Sequence, residues 1–165
     1  MGKLTTALRY RTEGKVEEAL QLLLELHAAD PGDAVVALEC ASTYDSLGRE
    51  AEAIPLYEQA ISLGLVGDDL RGAHLGLGSS YRCVGRFQEA IDMLRRGKEL
   101  FPEGREFDAF LAMALYNTGD NRQAVALLLK TLAGTAEHLA LLQYKPAILY
   151  YADHLDEVTP QQHSE

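Results

Sequence analysis

Four stretches decide how this chain is read: EGKVEEAL (13–20), LGREAEAI (47–54), VGRFQEAI (84–91) and TGDNRQAV (118–125). Each places a glycine second, an alanine five residues after it, and an aliphatic residue next to the alanine. The glycines Gly14, Gly48, Gly85 and Gly119 are 34, 37 and 34 residues apart. Leu23, Tyr57, Leu94 and Leu128 each follow their glycine by nine, and Tyr10, Tyr44 and Tyr81 precede it by four. A period in this range is the mark of a stacked array.

A glycine between two helical apolar patterns reads as a tight turn, because it accepts the left-handed backbone that ends a helix. The alanine lies where two antiparallel helices approach closely, and the large residue at +9 fills the interface. Such a pair has two apolar faces and cannot bury both alone, so the units must stack. The three extra residues between the second and third units are placed in SLGLVGDDLRG (62–72), read as a lengthened turn. Helices are predicted near 2–12, 15–28, 33–46, 49–62, 69–84, 86–100, 104–117 and 119–133. A further amphipathic stretch over 136–157 is expected to cap the array, with Pro146 kinking it or starting its second half. Residues 158–165 read as a frayed tail.

The pattern resembles the tetratricopeptide repeat, a 34-residue helix-turn-helix unit. Ala41, Tyr44, Gly48, Ala53, Tyr57 and Ala60 match it in the second unit. Leu77, Gly78, Tyr81, Gly85, Phe87, Ala90 and Pro102 match it in the third. The fourth unit departs from it with Leu115, Leu128 and Thr131, and His74 stands where the family carries Trp. The resemblance covers about residues 1–135, divided near 1–32, 33–66, 67–103 and 104–135. It implies an all-α, right-handed α-solenoid of about nine helices that serves as a non-catalytic, protein-binding scaffold.

By the same resemblance, the first helix of each pair lines a concave groove. The implied contact residues are Leu8 and Arg11, then Leu38, Ser42 and Asp45, then Leu75, Ser79 and Arg82, then Phe110, Met113 and Tyr116. This largely apolar set suits an amphipathic helix or extended peptide, with the few charges setting register. Gly76 has two readings here: space left for a bulky partner side chain, or a tolerated residue near a turn. The family's carboxylate-gripping positions hold Leu4, Leu8, Glu39, Gly72 and Gly76, which cannot bind a carboxylate. The alternative occupants of the groove are the chain's own C-terminal helix or a second copy, as in a homodimer.

Composition excludes other classes. With 15 Lys+Arg against 25 Asp+Glu, the formal net charge is -10, which repels phosphate backbones. A single-stranded RNA binder would need a basic, aromatic groove, so nucleic acid is not expected as a partner. The apolar runs are too short to span a bilayer and no secretory leader opens the sequence, so neither membrane attachment nor export is expected. Met1-Gly2 with Thr6 fits only a permissive myristoylation pattern. Cys40 and Cys83 form no CxxC or Cys/His pair and are read as reduced, mostly buried thiols of a cytoplasmic protein. The five histidines have no ligand spacing, and no phosphate loop or nucleophile motif occurs, so no metal, cofactor or catalytic residue is expected.

Overall fold

The computed structural model describes residues 2–137 and 139–155. Nine helices occur among them: α1 (Lys3–Thr12), α2 (Val16–Ala29), α3 (Ala34–Ser46), α4 (Glu50–Ser62), α5 (Gly67–Cys83), α6 (Phe87–Leu100), α7 (Arg105–Asn117), α8 (Asn121–Thr135) and α9 (Leu139–Asp153). Each helix packs on the next in order, and α3 meets α5 while α5 meets α7. The first helices of successive pairs therefore share one side of an α-solenoid. The expected frayed tail, 158–165, lies outside the described residues.

The recurring glycines make one turn four times. Gly14, Gly48, Gly85 and Gly119 have φ of 79°, 69°, 81° and 84°. In the second unit the Gly48 N–H donates to the Asp45 carbonyl at 2.9 Å, and the Arg49 N–H to the Tyr44 carbonyl at 3.0 Å. The same two bonds join Gly85 to Arg82 and Arg86 to Tyr81. They satisfy carbonyls that the helix end leaves open, and they need the left-handed residue between them. The residue after the glycine also lies over the preceding tyrosine ring. Arg49 stands 4.7 Å from the Tyr44 centroid and Arg86 stands 4.3 Å from that of Tyr81. In the fourth unit Leu115 and Asp120 take these places, and the Asp120 carboxylate instead caps α8 by accepting from the Gln123 N–H at 3.3 Å.

Between units the links are all four residues long: 30–33, 63–66 and 101–104. The three extra residues are therefore not a lengthened turn. α5 runs to 17 residues, four more than α3 and α7 at 13, while α4 at 13 is one shorter than α2 and α6 at 14, which accounts for the net three. Asp68 and Asp69 lie in the first turn of α5, where carboxylates complement the helix dipole.

The core runs without a break from α3 to α8, with a satellite of Ala7, Leu23, Val36 and Cys40 joining α1, α2 and α3. Large residues lie against missing side chains. A Cβ on Gly97 would collide with the fully buried Phe107 ring, and one on Gly76 would collide with the Tyr57 phenol. The space at Gly76 is thus filled by the chain's own tyrosine and is not room for a partner. Cys40 is buried, and burial pushes its thiol up to about 12, whereas Cys83 is exposed, contrary to the expectation that both are mostly buried.

α9 is a continuous helix through Pro146. Its Ala152 is buried, and its Asp153 accepts from Lys130 Nζ at 2.5 Å through the side chain and from Arg122 Nη2 at 3.2 Å through the carbonyl. These contacts lie on the side of α8 that carries Arg122 and Lys130.

The two kinds of helical glycine respond oppositely to a methyl group. Gly72 has open space where a Cβ would sit, so Gly72→Ala stabilises by about 0.5–1 kcal/mol through a stiffer unfolded chain. Gly97→Ala forces Phe107 aside and costs about 1–3 kcal/mol. Thermal melts of both variants followed by circular dichroism check the opposed shifts; equal shifts contradict the packing described here.

Candidate groove on the inner side of the stack

The eleven residues read from the sequence as groove contacts fall into three groups. Leu8 and Arg11 line a hollow of about 460 Å³ at the first end, beside Thr12, Val16, Glu39 and Ser46. Arg82, Met113 and Tyr116 line a second hollow of about 420 Å³ between α7 and α8, with Ala124, Val125 and Leu128. The remaining six are partly or wholly committed inside the protein.

Leu38 is 8% exposed and belongs to the main core, so it is corrected from a groove contact to a packing residue. Leu75 and Phe110 are partly buried against the same core. Ser42 Oγ donates to the Glu39 carbonyl at 3.3 Å, and Ser79 is half-buried. Asp45 is a tie between units: its carboxylate accepts from Ser80 Oγ at 3.2 Å and from Tyr57 Oη at 3.4 Å. Burial holds its carboxyl above the usual value, and the two hydrogen bonds oppose that shift. A second inter-unit tie is the ion pair of Arg11 with Glu39. Burial raises the Glu39 carboxyl, and the nearby Arg11 charge works against it.

Arg71 Nε and Glu106 Oε1 link α5 to α7 at 2.5 Å. Asp108 is buried and accepts from Lys98 Nζ at 2.9 Å and Thr131 Oγ1 at 3.2 Å, joining α6, α7 and α8. Polar groups inside the stack therefore hold its units to one another. Among the described residues no three His, Cys, Asp or Glu side chains gather as a metal site would require, and no helix is long and apolar enough to cross a membrane.

The hollow between α7 and α8 is different in character. Its walls are apolar except for Arg82 and Asn117. Tyr116 is 67% exposed, and Met113 is exposed beside it. Arg82 Nε is buried without a hydrogen-bond partner, and Arg82 Nη2 donates to Cys83 Sγ at 3.7 Å. The recess thus joins apolar walls to one cationic side chain.

These turns, ties and stacked pairs define an α-solenoid repeat protein. The profile of the Tetratrico peptide repeat matches residues 34–155, and the chain belongs to that family. The match begins at α3 and includes α9. Nothing among curated protein sequences matches the chain. Solved structures share its fold. MamA superposes with a TM-score of 0.69 at 19% identity, over 90% of this chain and 92% of that one. YrrB, described as a TPR protein with an unusual peptide-binding site, gives 0.64 at 18% identity, over 94% and 91%. The Cut9–Hcn1 assembly of the APC/C gives 0.73 at 18% identity, over 91% of this chain and 29% of that one.

The burial of Asp45 predicts a pH signature. Its folded-state value lies above the ordinary 3.8, so the folded protein binds the proton more tightly than the unfolded chain does. The cost of burying the carboxylate is then fully present at neutral pH and declines as pH falls through the raised value. Asp45→Asn removes that cost while keeping an oxygen acceptor for Ser80 and Tyr57. The Tm of Asp45→Asn relative to wild type is therefore highest at pH 7 and falls towards pH 4. A difference that stays constant or grows on acidification contradicts the assignment of Asp45 as a half-buried tie.

Proposed function

We propose that the protein is a non-catalytic cytoplasmic scaffold of four repeats, near 1–32, 33–66, 67–103 and 104–135. In this reading it holds a peptide or helix of a partner protein in its concave groove. The observation that carries the reading is the apolar hollow between α7 and α8, where Met113 and exposed Tyr116 stand beside the unpartnered Arg82 Nε. An exposed aromatic and an arginine next to a recess are the residue types that dominate binding energy at protein interfaces. The partner's chemistry follows from the lining: one large apolar side chain seated in the hollow, with a carboxylate or carbonyl close by for Arg82. Membership of a family that includes YrrB, described as having an unusual peptide-binding site, supports the same reading.

The committed residues narrow the groove. Leu38, Asp45 and Glu39 hold the stack together, so the middle of the inner surface contributes register and the α7–α8 end contributes anchoring. Selection from a phage-displayed random peptide library, followed by fluorescence anisotropy on the enriched peptides, tests this. Enriched peptides carry a large apolar residue near an acidic one, and both Tyr116→Glu and Arg82→Gln weaken them about tenfold or more, equivalent to about 1.4 kcal/mol. Both positions can be changed without emptying the core, so helicity is retained. No enrichment, or equal affinity for wild type and both variants, contradicts the groove reading.

A further inference from the structure

Repeat register exposes a difference at the end of the stack. The aliphatic residue six places after the turn glycine is 6% exposed in α2 (Leu20), 6% in α4 (Ile54) and 3% in α6 (Ile91). In α8 the same position, Val125, is 45% exposed. Nine places after the glycine, Leu23, Tyr57 and Leu94 are 0%, 3% and 0% exposed, whereas Leu128 is 46%. Leu132, one helical turn further on, is 43% exposed. In the first three units this face is buried within the continuous packing of the stack, with the next unit's first helix against it. The sequence reading that Leu128 fills an interface is thus corrected: its place in the register is kept, but its cover is missing.

α9 does not supply the cover, because it is bound elsewhere. It meets α8 on the side of Arg122, Ala126 and Lys130. The equivalent positions in the earlier second helices, such as Glu17, Ala51 and Gln88, face solvent. α9 therefore lies on the outer side of the stack. It is also apolar all round in sequence, LALLQYKPAILYYAD, a pattern that belongs to helices covered on more than one face. Ala152 is buried against α8, while Leu142, Tyr144 and Leu149 remain exposed.

Each chain thus carries one open apolar seat and one helix with an uncovered apolar face. Within a single chain Asp153 of α9 pairs with Lys130, on the side of α8 away from the seat. We infer that the open face of α8 is an interface for a second copy of this chain, whose α9 fills it while its own α8 receives the first copy's α9. The exchange is self-complementary, so it closes as a twofold dimer. Head-to-tail stacking is disfavoured by the opposite end. The α1 residues in register with Gly76 and Ser80 are Thr5 and Arg9, both exposed, and they present a polar surface to an apolar seat.

The seat shares Val125 and Leu128 with the α7–α8 hollow, so a docked α9 and a groove peptide exclude one another, whereas Leu132 and Leu149 lie outside the hollow. Light scattering coupled to size exclusion, over low to high micromolar full-length chain, measures the state directly. Wild type gives twice the 18.1 kDa of one chain at the higher concentrations. Leu132→Glu in the seat and Leu149→Glu on α9 each return it to one chain's mass with unchanged helicity. Wild type that stays at one chain's mass throughout overturns the inference, whether the chain's own residues or a foreign helix fill the seat. A dimer that survives either substitution overturns it as well. A chain that stays single leaves the hollow open and the peptide reading standing, which falls only if Tyr116→Glu and Arg82→Gln bind peptide as wild type does.

Discussion

A helix pair with apolar residues on both sides is stable only beside a neighbour, and in this chain the neighbour is secured by the fit of large residues against absent ones. Tyr57 of α4 lies where Gly76 of α5 has no side chain, and Phe107 of α7 lies where Gly97 of α6 has none. Both contacts join one unit to the next. Each brings two helix backbones close enough for polar ties to form, as Tyr57 and Ser80 do by donating to Asp45. The four glycine turns set the angle within each pair, but the fit between pairs makes the array one continuous core.

Much of this was legible in the letters. Four glycines in register, each requiring φ > 0, located every intra-unit turn, and the helices of the four repeats fell within about two residues of their expected bounds. What the letters hid were matters of which neighbour fills which space. Gly, Asp and Asp in 62–72 are turn residues by preference, yet α5 absorbs the insertion as an added turn of helix because carboxylates suit its first turn. Gly76 reads as room for a ligand until Tyr57 is seen in it. Asp45 and Leu38 sit at groove positions in the repeat, but Asp45 reaches Ser80 of the next unit and Leu38 is buried in the main core. Cys83 lies in an apolar pattern, but the final residue of α5 is exposed.

The groove was therefore legible as a side of the molecule but not as a site. Register assigns the first helices to the inner surface, and exposure decides which of their residues a partner could touch. Of eleven candidates, Leu8, Arg11, Arg82, Met113 and Tyr116 line the two hollows. Arg11 already pairs with Glu39, which leaves the α7–α8 hollow as the place with both apolar surface and an unpaired donor. The open face of α8 was the most deeply hidden feature. Val125 and Leu128 keep the spacing of the repeat, although Leu128 replaces the usual aromatic, and that spacing does not signal that α9 lies on the outer side.

The claim on which the rest depends is the fit of one unit against the next, and a double-mutant cycle on Tyr57 and Gly76 measures it. Gly76→Ala crowds the tyrosine, Tyr57→Leu removes the ring, and in the double variant the new methyl group enters the vacated space. Chemical denaturation is expected to find the double variant more stable than the sum of the single effects by about 1 kcal/mol or more. Single effects that add to within about 0.5 kcal/mol would mean that the two residues do not meet and that the units are held together in some other way.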